Sequence, residues 1–144
     1  KEIIDTYFNT FKNVKAFIED SISSAKQNGY AETLMGRRRY LRNIKSNNAV
    51  VSAFEESVAV NMQIQGTAAD MIKIAMIKIH NELLKRKAKT KMVLQVHDEL
   101  VFDAHKDELD EIRPLVKKVM EEALPLDVPI VVDTGIGENW LDAH

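Results

Sequence analysis

Two short apolar runs near residue 100 enclose three consecutive polar residues, and this arrangement constrains the fold more than any other feature. The runs are residues 92–96 and 100–102, and His97, Asp98 and Glu99 separate them. Both runs are rich in residues that favour strands, and a short polar interruption favours a reversal of the chain. The sequence therefore predicts a β-hairpin with a polar tip.

In most of the remaining chain, apolar residues recur at helical spacing. The predicted helices cover residues 3–11, 14–25, 48–61, 67–84 and 106–124. Asn28-Gly29 is predicted to end the second helix, and the Ser46–Asn48 stretch offers N-caps for the third. Gly66 is predicted to break the chain before the fourth, with Thr67 as a candidate N-cap.

Two further β elements are predicted. Residues 30–34 and 39–44 flank Met35-Gly36 and indicate a short basic hairpin, and residues 128–132 indicate a buried strand. The mixture predicts an α+β fold with helices packed on a small antiparallel sheet. The 144 residues are enough for one domain, and no second domain is expected.

Composition and charge exclude some classes of protein. The chain has no cysteine, which excludes disulfides and cysteine-based zinc sites and fits a reducing compartment, so we expect a cytoplasmic protein. No apolar run approaches the roughly 18 residues of a membrane span. The net charge is −2, but basic residues cluster in residues 37–45 and 85–91. These clusters indicate either a face that tolerates phosphates or two solvated loops.

The polar tip at residues 97–99 is the strongest candidate for chemistry. A carboxylate at the end of a strand is held rigidly enough to bind a hard cation. Neighbouring residues on extended backbone point to opposite sides, so only one of Asp98 and Glu99 is expected to be a primary ligand. Asp98 is the candidate that we prefer. The alternative interpretation is a polar hairpin turn without chemistry.

Three other segments have distinctive sequences. Residues 30–41 are YAETLMGRRRYL, residues 61–73 are NMQIQGTAADMIK, and the tail contains LDVP at 126–129 and GIGENW at 135–140. Together with VHDEL at 96–100, in this order and spacing, they resemble motifs of the polymerase I-type, family A DNA polymerases of bacteria. The resemblance covers almost the whole chain.

The resemblance implies roles for individual residues. Asp98 would be the second metal-ligand aspartate of a nucleotidyl-transfer site, and Glu99 would have a secondary catalytic role beside it. His97 would contact the primer terminus. Asn61 and Gln65 would face template and primer at the newest base pairs, where an amide can bind the minor-groove acceptors that all base pairs share.

The same resemblance implies an activity and its partners. The expected function is template-directed DNA synthesis in replication and repair, with nucleotidyl transfer from a dNTP to the 3′-OH of a primer. It would use two Mg²⁺ ions, with Mn²⁺ as a substitute, about 3.5–4 Å apart. Primer-template DNA and dNTP would be the partners. Arg37 and Arg38 would either lie near the DNA backbone or stabilise the palm from behind, and both alternatives stay open.

Two parts of the family's site do not occur in this sequence, namely the first metal aspartate and the nucleotide-binding helix. We expect both to lie upstream of residue 1. Residues 1–144 would then be the C-terminal portion of a polymerase domain, with the palm and adjoining fingers helices. We expect the isolated chain to be inactive, and to be either partly disordered or self-associated through an uncovered strand edge.

Some positions depart from the family's pattern. Arg42 and Gln63 stand where proline is usual, and Val51, Ser52 and Ser57 stand where many members have arginine. The missing arginines weaken the expectation that this stretch binds DNA as it does in relatives.

Two other classes of function are considered. A metal-dependent phosphohydrolase could use His97 and Asp98, but it would need further ligands such as His80. A non-catalytic helical interaction module descended from a polymerase is the second alternative.

Overall fold

The computed structural model describes residues 2–143. The chain divides into two compact units, one up to Thr67 and one from Ala68 onwards. Helices and two separate two-stranded antiparallel sheets make up the structure, so the predicted α+β class is confirmed. Within residues 2–143, no helix combines the length and the apolar character that a membrane span requires.

The first unit contains four helical and two strand elements. In chain order they are α1 Glu2–Thr10, α2 Lys12–Asn28, β1 Tyr30–Glu32, β2 Arg38–Tyr40, α3 Ala49–Asn61 and a π-helical segment Met62–Gly66. Its core combines three alanines, which allow close packing, with three larger apolar side chains: Ala25, Ala31, Leu41, Ile44, Ala59 and Met62.

Two predicted helix ends in this unit, at Gly29 and Asn48, are confirmed, because their causes are local. Gly29 has a φ of +78°, and its amide donates to the Ala25 carbonyl at 2.8 Å, which closes α2. The Asn48 side chain accepts hydrogen bonds from the amides of Val50 and Val51 at 3.0 and 3.4 Å, which begins α3.

The predicted basic hairpin forms, but its strands are shorter than expected. Tyr30 pairs with Tyr40 and Glu32 with Arg38, and β2 ends at Tyr40. Leu41 and Ile44 do not continue the strand. They are instead buried in the core of the first unit, where they cover more apolar surface than an exposed strand would.

The predicted break at Gly66 is wrong. The π-helical segment joins α3 to α4, which spans Thr67–Arg86, so the helical path continues through Gly66. Thr67 has helical backbone angles, φ −65° and ψ −40°, and is therefore no N-cap. Gly66 is needed for close packing, because a Cβ there would lie 2.7 Å from Thr33 Cγ2 and 3.0 Å from Met62 Sδ.

The second unit contains most of α4, two strands and two further helices. These are β3 Lys91–Val96, β4 Glu99–Asp103, a 3₁₀ turn Lys106–Glu108, α5 Leu109–Glu121 and α6 Trp140–Ala143. Its core is formed by α4, α5 and the segment after α5: Ala75, Ile79, Leu83, Ile112, Val116 and Ala123. Leu100 and Phe102 of β4 pack against this core, so the hairpin is anchored on one face.

The predicted strand at 128–132 is also wrong. No strand forms there, and Val128 and Val131 are 63% and 75% exposed. Side chains of α5 hold this segment instead: the Glu121 carboxylate accepts from the Val132 amide at 3.2 Å, and Arg113 donates to the Thr134 carbonyl at 2.9 Å. The residues of this run favour a strand, but no strand of the described residues lies beside them to pair with. The run therefore forms no strand and stays largely exposed.

One carboxylate organises the loop between α4 and β3. Glu108 accepts hydrogen bonds from the amides of Lys89 and Thr90, both at 2.9 Å, and from the Thr90 hydroxyl at 2.7 Å. The Lys89 amide, followed by the Thr90 hydroxyl and amide, lowers the pKa of Glu108 to about 2, since these bonds favour the charged form.

We expect Glu108→Gln to destabilise the second unit at neutral pH. Because the folded-state pKa is lowered, the stability that ionised Glu108 contributes is present above pH 4.5 and is lost as the pH falls towards about 2. The difference in free energy of unfolding between wild type and mutant should therefore decrease over that pH interval. Denaturant unfolding from pH 7 to pH 2 measures it, with Glu138→Gln as the control, since the Glu138–Lys106 pair is about 85% exposed on both sides. A difference that stays constant with pH would contradict the prediction.

Candidate active site

The β3–β4 hairpin places His97 and Asp98 alone in its turn. Val96 pairs with Glu99 and Gln95 with Leu100, so Glu99 is already the first residue of β4. The polar tip was predicted to have three residues, and the structure reduces it to two. Two-residue connections are the tightest hairpin turns, so the turn position is closely determined by the two strands.

His97 adopts an unusual backbone conformation. Its φ is +52°, in the left-handed region, and the Gln95 side-chain amide donates to its carbonyl at 2.7 Å. A non-glycine residue with this φ is uncommon, although histidine is enriched among such residues. Strained backbone of this kind is concentrated at functional sites, and here it adjoins Asp98.

The two carboxylates at the turn differ in exposure. Asp98 is exposed at the tip, whereas Glu99 is half-buried within β4. The carboxylates of these two consecutive residues therefore lie in different environments. Of the two, Asp98 is the more accessible to a ligand from solvent.

A hard carboxylate at a rigid turn suits a divalent cation as one ligand among several. Among residues 2–143, no group of three or more His, Asp and Glu side chains could hold a metal ion. The described residues therefore do not form a complete metal site around Asp98. The phosphohydrolase alternative needs a cluster of ligands around His97 and Asp98, and no such cluster includes His80 in this part of the chain.

Asn61 and Gln65 flank the junction between α3 and the π-helical segment. Asn61 is the last residue of α3, Gln65 lies inside the π-helical segment, and both side chains are exposed. These two residues belong to the first unit, whereas residues 97–99 belong to the second. π-Helical turns are rare and are frequent at functional sites.

Arg37 and Arg38 both contact protein groups. Arg37 donates to the Gly66 carbonyl at 3.0 Å. Arg38 donates to the Glu32 carboxylate at 2.5 Å, and its guanidinium lies 4.5 Å from the centre of the Tyr30 ring. The hydrogen bond to Glu32 raises the pKa of Arg38 above its ordinary value, with Tyr30 adding to the effect.

Thr67 is a residue whose role the sequence did not reveal. Its hydroxyl donates to the Gln63 carbonyl at 2.5 Å and accepts from the Leu34 amide at 3.1 Å. The first contact has a local signal, because a threonine within a helix often donates to the carbonyl four residues earlier. Its second contact, with a residue 33 positions earlier, has no local signal.

The chain matches known proteins along almost its whole length. Residues 1–142 match the family model described as DNA polymerase family A. The DNA polymerase I of Bacillus subtilis is 49% identical over 140 residues, which are 97% of this chain and 16% of that protein. The thermostable DNA polymerase I of Thermus filiformis is 46% identical over 140 residues, 97% of this chain and 17% of that one.

A solved structure agrees with these relatives. The POL domain of Pol1 from M. smegmatis, in complex with DNA primer-template and dNTP, has a TM-score of 0.93 and 40% identity. The match covers 97% of this chain and 25% of that one. The chain therefore belongs to DNA polymerase family A. It spans about 16% of the length of the curated relatives it matches, such as that of B. subtilis.

The left-handed backbone at His97 predicts an unusual order of stability. His97→Val should be less stable than His97→Gly by about 1 kcal/mol or more, because only glycine adopts this φ without steric cost. Thermal unfolding of the two variants measures the difference. Lys91, exposed in β3, is the control: there the valine variant should be the more stable, since strand backbone favours β-branched residues. The same order at both positions would contradict the prediction.

Proposed function

We propose that this chain forms part of a template-directed DNA polymerase that transfers a nucleotide from a dNTP to the 3′-OH of a primer, in replication and repair. Membership of DNA polymerase family A supports the proposal, as do relatives that are DNA polymerase I enzymes. The structural observation on which it depends is the exposed Asp98 carboxylate in the two-residue turn.

Asp98 is proposed as a catalytic residue and as the metal ligand that this chain supplies. Divalent ions, Mg²⁺ with Mn²⁺ as a substitute, would provide charge stabilisation for phosphoryl transfer when bound. The strands of the hairpin hold the backbone of Asp98 at a defined position, which lowers the entropic cost of ordering its carboxylate on binding. Glu99, half-buried beside it, is proposed as the secondary carboxylate.

His97 is proposed to contact the primer terminus. Its side chain is exposed and its backbone conformation is constrained by the turn. An imidazole offers one donor and one acceptor in its neutral form, which suits a sugar or phosphate oxygen.

Asn61 and Gln65 are proposed to contact template and primer at the newest base pairs. Both amides are exposed, and each has a donor and an acceptor. The minor-groove acceptors of adenine and thymine occupy equivalent positions, so contacts there sense pairing geometry more than sequence.

Arg37 and Arg38 are proposed to stabilise the palm from behind, rather than to bind the DNA backbone as their principal role. Their contacts with Gly66, Glu32 and the Tyr30 ring support this alternative. A guanidinium has five donors, so one hydrogen bond to a protein group does not by itself exclude a contact with phosphate.

We further propose that residues 1–144 are the C-terminal portion of a polymerase domain, comprising palm and adjoining fingers helices, and that the enzyme acts in the cytoplasm. The lack of cysteine supports a reducing compartment. Self-association of the isolated chain stays a prediction, which exposed apolar side chains such as Val93 and Leu94 of β3 support.

In the complete enzyme, Asp98→Ala should reduce nucleotide incorporation by at least about a hundredfold while DNA affinity changes little. The reason is that the lost ligand removes transition-state charge stabilisation, whereas phosphate contacts elsewhere persist. Single-turnover incorporation and DNA titration measure the two effects, and Glu99→Ala should be milder. Asp103→Ala is the matched control, because Asp103 is an exposed carboxylate at the other end of β4 from the turn. An Asp98→Ala enzyme within about tenfold of wild type would contradict the assignment.

Gln65→Ala and Asn61→Ala should slow primer extension, most clearly from mismatched termini, with little loss of fold stability. Both side chains are exposed, so their removal leaves the core intact. Extension rates from matched and mismatched primers, together with melting temperatures, measure the effects. Gln27→Ala, an exposed glutamine in α2, is the control. Normal kinetics combined with a large loss of stability would show that these residues are structural.

A further inference from the structure

Hydrogen bonds of two side chains, those of Thr67 and Arg37, link the backbone of the π-helical segment to the turn of the basic hairpin. Thr67 Oγ1 donates to the Gln63 carbonyl at 2.5 Å and accepts from the Leu34 amide at 3.1 Å. Arg37 donates to the Gly66 carbonyl at 3.0 Å. Side chains therefore donate hydrogen bonds to two carbonyls of the segment. One of the two donors, Thr67, also accepts a hydrogen bond from the turn.

The turn that makes these contacts is itself well braced. The hydroxyl of Thr33, which is 5% exposed, accepts from the amides of Met35 and Arg37 at 3.3 and 3.2 Å. The Thr33 amide donates to the Arg37 carbonyl at 3.0 Å, and the Gly36 amide donates to the Thr33 carbonyl at 2.9 Å. The turn can therefore act as a rigid support.

Packing brings the two segments together without a gap. Gly66 is buried, and an added Cβ would lie 2.7 Å from Thr33 Cγ2. Thr67 is only 7% exposed. Polar bonds in a closely packed, buried place are stronger and more directional than the same bonds in water.

The register of this segment decides where its side chains point. A π-helical turn bonds each amide one residue further back than an α-helix does. One residue corresponds to about 100° around an α-helix, so a return to α-helical register would rotate the residues that follow the segment by about that angle relative to α3. Gln65, near the end of the segment, would be rotated by part of it. Because π-helical turns are rare and intrinsically unfavourable, surrounding contacts must hold them.

We propose that Thr67 and Arg37 are positioning residues, which hold the π-helical register of Met62–Gly66 and thereby direct the Gln65 side chain. The inference rests on the proposed function, because it concerns the role given there to Gln65. Thr67 is the better probe of the two. It is uncharged and buried, so its substitution cannot act through the loss of a phosphate contact.

The test uses the complete polymerase with Thr67→Val, which keeps the shape but loses the hydroxyl, and Thr67→Ser, which keeps the hydroxyl. Thr67→Val should change the ratio of matched to mismatched extension in the same direction as Gln65→Ala, by about fivefold, the factor of one net hydrogen bond. Thr67→Ser should restore the wild-type ratio. Hydrogen exchange of the Leu34 amide should accelerate in Thr67→Val and not in Thr67→Ser, which reports the contact independently of activity.

A double mutant tests whether Thr67 acts through Gln65. Thr67→Val combined with Gln65→Ala should show the ratio of Gln65→Ala alone, since a residue that is absent cannot be misdirected. The control is Thr10→Val, because Thr10 makes the same kind of back-bond, to the Thr6 carbonyl at 2.9 Å, in exposed α1. Thr10→Val should leave the ratio unchanged.

Three outcomes would overturn the inference, and they are distinguishable. If Thr67→Val accelerates Leu34 exchange but keeps the wild-type ratio, the bonds serve stability alone. If the two mutations are additive, Thr67 acts on the ratio independently of Gln65. If Gln65→Ala itself leaves the ratio unchanged, the assignment of Gln65 in the proposed function fails and the inference fails with it. Should Thr67→Val not fold, Arg37→Gln supplies the ratio of matched to mismatched extension, alone and combined with Gln65→Ala. Arg113→Gln is its control, since Arg113 also donates to a backbone carbonyl, that of Thr134.

Discussion

The register of the β3–β4 hairpin is the constraint on which the candidate catalytic centre depends. Val96 opposite Glu99 leaves two residues for the turn, and a slip by one residue would move every side chain of a strand to the other face. Leu100 and Phe102 prevent such a slip, because they pack on the core of the second unit. An irregularity between Met92 and Leu94 adjusts the pairing at the far end, so the tip keeps its register.

The sequence predicted those features whose causes lie within a few residues. Gly29 ends α2 and Asn48 begins α3 through contacts with near neighbours, and both were predicted correctly. The polar tip was also predicted, although the boundary of β4 moved by one residue to include Glu99. Periodicity identifies such elements well and their ends less well, since a terminal residue contributes little to the pattern.

The features that the sequence did not predict depend on distant contacts. Gly66 has the local character of a helix breaker, but its role is to let Thr33 approach, and Thr33 lies on another element. Val131 belongs to a run with strong β propensity, yet no neighbouring strand pairs with it among the described residues. The arginines give a similar lesson: charge left a phosphate-tolerant face and solvated loops as alternatives, and it gave no signal for the partners that Arg37 and Arg38 have within the protein.

The bonds made by Glu108 have a consequence for how the chain can vary. They are directed at the amides of Lys89 and Thr90 and at one hydroxyl, so the shape of the loop is determined by a residue that lies outside it. Backbone amides are present whatever the side chain, proline excepted. Lys89 can therefore be exchanged for a neutral or acidic residue during evolution without the loss of these bonds, and the surface charge of the protein can drift while the β3 strand still begins in the same place.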